Sequence, residues 1–397
     1  MRSYSMIAFR GALLTAAFAL SAFAAGAQAQ NYDLRVLHVF GAAVYPNSSV
    51  QFDSAGNLYG TTELGGATDG GAIYKIANDR ARTESILHSF DPIGPQNSPV
   101  EPQGVVIDSS TGDIYGTTRY GGDLSCCDGI SSVGGGQIYK LAPDGTYTML
   151  RAFNKDRDGV FPSSVIRDPQ GNLYGMLQAG AGNNIYPTLF RYAADGTFTV
   201  LHVFRGYGFY RASPLIRDRA GNFYGPIYSP DGINCGSIYK LSRDGTYTTL
   251  HSFTGGADEC YPGDLSGDQA GNLYGTASGQ NTIGQNTVVF KLTADGTFTT
   301  LHTFMRGVGP FNHWTINPVL PVAGNLYGTA DYLRFSDNRR YDTLFEIAPD
   351  GTYTRLFDFG ANQHPDSGLT LQHGRLYGTA GVSGSRAEVY SFGVAPQ

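Results

Sequence analysis

Residues 213–253, SPLIRDRAGNFYGPIYSPDGINCGSIYKLSRDGTYTTLHSF, contain four short β-like runs separated by turns. The first two runs flank a tight connection in which Asp218 caps the turn and Gly221 accepts a positive φ angle. The last two flank Asp244-Gly245, a pair typical of a primed hairpin turn. The stretch therefore predicts four antiparallel strands, and turn chemistry accounts for these aspartates without a catalytic role.

The same unit recurs along the chain, where each copy carries a five-residue tag similar to GNLYG. The tags begin 50 to 59 residues apart, at Gly56, Gly112, Gly171, Gly221, Gly271, Gly324 and Gly374. A period of this length without helical periodicity indicates a repeat architecture, and four strands in each of seven units are typical of a β-propeller. No linker rich in proline, serine or charge divides the units, which disfavours an open array or two separate domains. The sequence predicts an all-β, seven-bladed β-propeller with four-stranded antiparallel blades.

The two ends of the chain complement each other. The stretch YDLRVLHVF (32–40) resembles the fourth run of a unit, as in LHSF at Leu87 and Leu250, but no unit precedes it. The seventh unit runs to Gln397 with only three of the four strands. We therefore predict that residues 32–40 form the outer strand of the last blade and close the ring, because closure pairs edges that would otherwise be exposed. Residues 30–397 are then a single propeller domain.

The N-terminus has the pattern of a secretory signal peptide. Arg2 and Arg10 flank the start of the apolar run GALLTAAFALSAFAA (11–25), and an A-x-A site follows at 27–29. The run is too short for a membrane anchor and no stop-transfer pattern follows it. We predict a signal peptide over residues 1–29, cleaved near Ala29, a periplasmic or secreted protein, and no membrane span. The net charge of −6 and the lack of a basic stretch argue against nucleic acid as a partner.

Variation between the units is confined to one set of connections. In an up-and-down blade, the loops between the second and third strands and the crossovers between blades lie on one face, and these are long and all different. Function tends to sit on variable loops held by a rigid frame. Aromatic residues in these loops are candidates for binding a glycan or protein partner, or else for packing the loops: Tyr207, Phe209, Tyr210, His313, Trp314, Tyr332 and Phe335.

The cysteines, carboxylates and histidines of the units each have a structural explanation as well as a chemical one. We expect a Cys235–Cys260 disulfide between neighbouring loops; the adjacent Cys126 and Cys127 form either a vicinal disulfide or free thiols. Loop carboxylates could serve a glycosidase or lyase, although sequence gives no separation between them: Glu101, Asp123, Asp128, Asp231, Asp258, Glu259, Asp331 and Asp337. Five histidines share one position in the fourth strand, and we expect them to be half-buried and to hydrogen-bond between blades: His38, His88, His202, His251 and His302. No metal site and no cofactor are predicted.

The unit resembles the repeat of the GloVer-type tandem-repeat proteins, exported bacterial proteins some of which have a choice of anchor. Matching residues include Asn57, Tyr59, Gly60, Asp295 and Gly296, and the resemblance covers nearly the whole chain after the leader. It implies a repeat fold and export but no activity, and the C-terminal SFGVAPQ has no apolar sorting tail. A looser similarity of turn pattern links the chain to virginiamycin-lyase-like propellers. The sequence favours an exported binding protein; the alternatives are a carbohydrate-active lyase or hydrolase and a structural envelope component.

Overall fold

A computed structural model describes residues 33–394, except 42–43, 47, 94–99, 126–132, 183–185, 206–214, 228–234, 280–285, 306–313, 335–338, 361–362, 366 and 383–385. For residues 314–315, 332–334, 339–341 and 382 the description is limited to the backbone.

The described residues form seven antiparallel sheets arranged as the blades of a propeller, which confirms the predicted fold. Blade 1 has β2 (Gln51–Phe52), β3 (Leu58–Thr62), β4 (Ala72–Ile76) and β5 (Glu84–Ser89); blade 2 has β6 (Pro102–Ile107), β7 (Ile114–Thr118), β8 (Gln137–Leu141) and β9 (Tyr147–Ala152). Blade 3 has β10 (Val160–Pro162), β11 (Ile166–Arg167), β12 (Leu173–Ala179), β13 (Thr188–Tyr192) and β14 (Phe198–Val203). Blade 4 has β15 (Ile216–Arg217), β16 (Phe223–Ile227), β17 (Ser237–Leu241) and β18 (Tyr247–Ser252).

The remaining three blades continue the pattern and end with the strand from the N-terminus. Blade 5 has β19 (Tyr261–Gly267), β20 (Leu273–Ser278), β21 (Thr287–Leu292) and β22 (Phe298–Phe304). Blade 6 has β23 (Trp314–Ile316), β24 (Leu320–Val322), β25 (Asn325–Arg334), β26 (Arg339–Ile347) and β27 (Tyr353–Asp358). Blade 7 has β28 (Gln363–Pro365), β29 (Thr370–Gln372), β30 (Arg375–Val382), β31 (Arg386–Gly393) and β1 (Leu34–Val39).

Ring closure takes the predicted form. Strand β1 pairs antiparallel with β31, so that the first strand of the chain is the outermost strand of the last blade. Phe40 follows it, is 1% exposed, and packs edge-on against Tyr74 of blade 1 at 4.9 Å between ring centres. At the inner side, the Ser49 hydroxyl donates to the Gly368 carbonyl oxygen at 3.2 Å. The closing blade is therefore joined to blade 1 at both its outer and its inner strands.

The recurring tag is explained by the turn it follows. In blade 3, one Asp168 carboxylate oxygen accepts from the Asn172 backbone N–H, and the other accepts from the Asn172 amide and the Tyr174 hydroxyl, at 2.9 Å each. Asp53, Asp218 and Asp268 make the same three bonds in their blades. These aspartates are structural, because each satisfies the donors of one tight turn.

Blade 6 reaches the same result with a different residue. Its first turn is shorter, so that Val322 pairs directly with Asn325 and no aspartate is present. Glu346, on the neighbouring strand, accepts instead from the Asn325 amide and, at 3.0 Å, from the Tyr327 hydroxyl. In blade 5 the residue in register with the tag tyrosine is Lys291, whose ammonium lies 5.8 Å from the Tyr274 ring centre. The third-strand residue is thus basic in blade 5, which has the turn aspartate, and acidic in blade 6, which lacks it; in blade 7, which also lacks the aspartate, it is the neutral Ser391.

The fourth-strand histidines join neighbouring blades. The predicted hydrogen bond between blades is seen at His38, whose Nε2 lies 2.8 Å from a Glu84 oxygen. The others reach the next blade by ring stacking, with centroid distances of 4.0–5.2 Å: His88 on Tyr147, His202 on Tyr247, His251 on Phe298 and His302 on Tyr353. Burial lowers the pKa of His88, His202 and His302, so the neutral ring is the form that these stacks favour.

Candidate ligand-binding face

The two ends of the blades are chemically different. Because the strands in each blade run antiparallel in the order one to four, the Asp-Gly turns lie at one end and the long connections at the other. We call the end that carries the second-to-third-strand loops and the crossovers the loop face. The first strands surround the axis: a Cβ on Gly104 of blade 2 would lie 3.4 Å from Ser48 Cβ of blade 1 and 3.7 Å from Ser164 Cβ of blade 3. Residues just before the first strands therefore line the axial mouth of the loop face.

The predicted aromatic residues are only partly placed. Trp314 and Tyr332 lie directly opposite each other in the β23–β25 register, so the structure brings these two positions together. Tyr207, Phe209, Tyr210, His313 and Phe335 lie outside the described residues, as do Cys126 and Cys127 and the carboxylates Asp128, Asp231 and Asp337. A ligand-binding role for the seven aromatic-loop residues stays a prediction.

A described cluster at the axial mouth joins blades 2 and 3. The Arg119 guanidinium lies 3.1 Å from a Glu101 carboxylate oxygen and 5.2 Å from the Tyr120 ring centre. Tyr120 meets Phe161 of blade 3 edge to face at 5.5 Å. All four side chains are only partly buried, and Tyr45 of blade 1, which precedes the first strand of its own blade, is 46% exposed. Cation, carboxylate and aromatic rings thus share one edge of the mouth.

Two residues of this cluster have strained backbones. Glu101 and Phe161 each precede the proline of a first strand, and their φ angles are 50° and 61°. A left-handed conformation in a bulky residue costs about 1–3 kcal/mol and tends to occur at functional sites. The Phe161 N–H donates to the Gly135 carbonyl oxygen at 2.8 Å, and the Arg119 N–H to that of Glu101 at 3.0 Å, which holds the conformation. Sequence inspection included Glu101 but missed Arg119, Tyr120 and Phe161; of these, only Phe161 carried a signal, as part of the residue–proline pair that recurs at the first strands.

The described carboxylates of the loop face have hydrogen-bond or ion-pair partners. Asp123 accepts from Ser125 and Asn154, and these bonds lower its pKa. Asp258 lies 3.1 Å from His251 Nε2 and accepts from Thr254. Glu259 is 5% exposed and accepts from the Asn286 N–H at 3.1 Å; burial raises its pKa, and the hydrogen bonds from Asn286 oppose that rise. Most of these acids are thus committed to holding loops.

Two buried carboxylates were not singled out by sequence inspection. Asp158 is 2% exposed and pairs with Arg151 and Arg157 in the crossover from blade 2 to blade 3. Asp342, also 2% exposed, contacts His364 Nδ1 of blade 7. Arg151 lies in β9 and His364 in blade 7, so these two partners are distant in sequence, whereas Arg157 is the neighbour of Asp158. Both act as supports beneath the loop face.

A disulfide bond and a small cavity lie near the loop face. The predicted Cys235–Cys260 disulfide is present and joins the inner loop of blade 4 to the crossover that leaves it. Within the described ranges, no three His, Cys, Asp or Glu side chains are grouped so as to hold a metal ion. A cavity of about 260 Å³ lies between blades 1 and 2, lined by residues that include His88, Leu124 and Tyr147. It is smaller than the ~300–1,000 Å³ typical of ligand pockets. A second cavity, of about 410 Å³, lies among the turns at the opposite end of blade 4 and is lined by Asn222, Ser242, Arg243 and Asp244.

The repeat places the chain in a known family. The Gloeobacter/Verrucomicrobia repeat matches residues 27–229, 125–314 and 215–395, which together span residues 27–395. The chain belongs to this repeat family. The match bears out the resemblance noted from the tags, and the blades described above are the three-dimensional form of the Gloeobacter/Verrucomicrobia repeat in this protein. No curated protein matches the sequence.

Similar solved structures include three propeller-type neighbours. A candidate gluconolactonase is 14% identical, with 92% of each chain covered and a TM-score of 0.41. A luciferin-regenerating enzyme is 14% identical over 74% of this chain and 92% of that one, with a TM-score of 0.42. A gluconolactonase from Xanthomonas campestris is 13% identical over 90% and 99%, with a TM-score of 0.40. At these values the likeness does not bear on function. Among the described residues, no helical segment has the length and hydrophobicity needed to traverse a bilayer.

Proposed function

We propose that this member of the Gloeobacter/Verrucomicrobia repeat family is an exported binding protein that recognises a glycan on its loop face. The observation that carries the proposal is the cluster of Glu101, Arg119, Tyr120 and Phe161 at the axial mouth. Sugar rings bind to aromatic faces and edges through apolar contact, while their hydroxyl groups need charged or polar hydrogen-bond partners beside the ring. The cluster offers both within one contiguous edge.

The state of the carboxylates favours binding over catalysis. Asp123, Asp258 and Asp158 have their oxygens engaged by neighbouring donors. A hydrolase needs two acids about 5–10 Å apart that both face the substrate. One observation supports the enzymatic alternative: burial raises the pKa of Glu259, as a general acid requires, and its backbone φ of 58° is of the strained kind found at functional sites. A carbohydrate-active lyase or hydrolase that uses Glu259 is therefore the second candidate function.

Export is part of the proposal. Disulfides persist in oxidising compartments, and the Cys235–Cys260 bond supports a periplasmic or secreted location. We propose that residues 1–29 are a signal peptide and that residues 30–397 form the mature propeller domain. Cell fractionation with N-terminal sequencing of the exported form tests this; a cytoplasmic chain that retains residues 1–29 would contradict it.

The binding proposal is tested with an array of cell-wall and plant polysaccharides followed by calorimetry on the hits. The Phe161→Ala and Tyr120→Ala variants should each weaken binding at least tenfold, because stacking and hydrogen bonding on the ring are lost together. Arg80→Ala on the opposite face is the matched control, since this exposed turn residue lies far from the mouth. The proposal fails if no glycan binds, or if both aromatic variants bind as tightly as the control.

Product analysis on the same hits separates the two functions. A binding protein leaves the polysaccharide intact, whereas the second candidate releases fragments at a rate that Glu259→Gln abolishes. Fragment release that persists in Glu259→Gln would exclude that residue as the acid.

A further inference from the structure

The cavity between blades 1 and 2 lies beside the axial mouth. Its volume is about 260 Å³, and the residues that line it belong to the described part of the chain. The lining includes Val100 and Gly121, which are next in sequence to Glu101 and Tyr120 of the mouth cluster. The Tyr120 N–H donates to the Val100 carbonyl oxygen at 3.0 Å. The cavity therefore adjoins the cluster that we propose to bind a glycan.

One side chain in this cavity is polar, buried and unpaired. Gln137 begins the third strand of blade 2 and is 8% exposed, and its Nε2 would lie 3.9 Å from a Cβ on Gly121. Within the described part of the chain, its side-chain amide makes no hydrogen bond, although an amide both donates and accepts. A buried amide without a partner costs free energy, so a ligand that pairs with it gains affinity.

The repeat shows that Gln137 is not required by the fold. At the equivalent position blade 7 has Glu388, which accepts from the Gln363 amide at 2.9 Å. The remaining blades have small or apolar residues there: Ala72, Thr188, Ser237, Val288 and Thr343. Among these positions, the long side chain without a hydrogen bond is the one that lines the cavity.

A histidine supplies a second polar group. His88 lines the cavity and stacks on the Tyr147 ring at 4.1 Å. His38, at the same position in blade 7, contacts Glu84, whereas the His88 ring nitrogens make no hydrogen bond to the described residues. Burial lowers the pKa of His88, against the opposing charge of Asp91, and the neutral ring offers one donor and one acceptor nitrogen.

The rest of the lining selects the class of ligand. Ile93 and Val100 form an apolar wall, and Leu124 is 52% exposed, so the cavity reaches the surface. Asp91, which accepts from the Thr68 hydroxyl at 3.0 Å, places a carboxylate in the lining and disfavours anions. A neutral acetamido group suits these surroundings, because its N–H and C=O complement an amide while its methyl group is buried against aliphatic side chains.

We infer that this cavity holds the acetamido group of an N-acetylated sugar, bound by the Gln137 amide and the His88 ring, while the adjoining sugars lie on the axial mouth cluster. The inference rests on the proposed glycan binding and narrows it to polymers that contain N-acetylhexosamine. The cavity is smaller than the pockets of drug-sized ligands, so it takes one sugar substituent and leaves the chain on the open face.

The test compares three hexasaccharides that differ at one substituent. Chitohexaose, cellohexaose and hexaglucosamine carry an acetamido, a hydroxyl or an amino group at C2 of each sugar, and calorimetry measures their binding to the mature chain. We expect chitohexaose to bind at least tenfold more tightly than cellohexaose, because a hydroxyl does not reproduce the paired N–H and C=O of an amide. Tighter binding of hexaglucosamine than of chitohexaose would show that Asp91 selects an amine and would overturn the inference.

Variants locate the effect. Gln137→Thr installs the residue that blades 3 and 6 have at this position, and it should lower the affinity for chitohexaose to that for cellohexaose. His88→Phe keeps a ring against Tyr147 and should weaken binding of chitohexaose only. His202→Phe, the same change in blade 3, is the matched control and should alter neither affinity.

Thermal unfolding of each variant shows that the fold is intact. Equal binding of chitohexaose and cellohexaose, or a preference that survives Gln137→Thr, overturns the inference but leaves glycan binding standing. No glycan binding at all ends both.

Discussion

Truncation of Phe40 should destabilise the whole propeller, because this residue fastens the first strand of the chain to the last blade. Phe40 is 1% exposed, packs on Tyr74 of blade 1 at 4.9 Å and shares a core cluster with Ala387 and Val389 of β31. A Phe→Ala change at a buried site costs about 3–5 kcal/mol, through lost transfer free energy and the cavity that remains. A folded domain has only about 5–15 kcal/mol of stability, so the ring should lose a large share of it.

Guanidinium unfolding followed by far-UV circular dichroism measures the loss. With a denaturant slope of about 5 kcal/mol/M, the midpoint of Phe40→Ala should fall by roughly 0.6–1 M. Phe153→Ala is the matched comparison, because Phe153 has the same position in blade 2, where no closure is involved, and packs on Phe190 at 5.5 Å. Val39→Ala, at a residue 45% exposed on the same strand, should change little. The reasoning is refuted if Phe40→Ala shifts the midpoint no more than Val39→Ala while Phe153→Ala shifts it fully.

Two further predictions concern pH and charge exchange. Stability should fall as pH drops through 6.5, because burial holds the pKa of the stacked His88, His202 and His302 below that value and the unfolded chain then binds more protons. Urea unfolding at pH 7.5 and 5.5 should show a smaller loss of stability in a variant with Phe at all three positions. An unchanged loss would contradict this reasoning. In blade 5, Asp268→Ala should cost about 2 kcal/mol, and Lys291→Glu added to it should recover about half, because it recreates the Glu346 arrangement of blade 6. A double variant no more stable than Asp268→Ala would show that the two arrangements are not interchangeable.

The candidate site was predictable only in part. Sequence placed Trp314 and Tyr332 in loops of one face, and the structure puts them opposite each other on paired strands. It did not predict that Tyr120 meets Phe161, because those residues come from different blades, nor that the adjacent Arg119 lies over the Tyr120 ring. It included Glu259 among many acids, but only burial distinguishes that carboxyl from its neighbours.

The amino-acid sequence alone determined the architecture, since turn residues, strand alternation and the tag repeat every 50 to 59 residues and are local in the chain. It also determined ring closure, because residues 32–40 form a fourth strand with no unit before them, and the seventh unit lacks a fourth strand. The tertiary structure alone decided which side chains meet across blades: the His38–Glu84 contact, the exchange of the turn aspartate for Glu346, and the cluster at the axial mouth. These depend on distances between residues far apart in sequence, which no local pattern encodes.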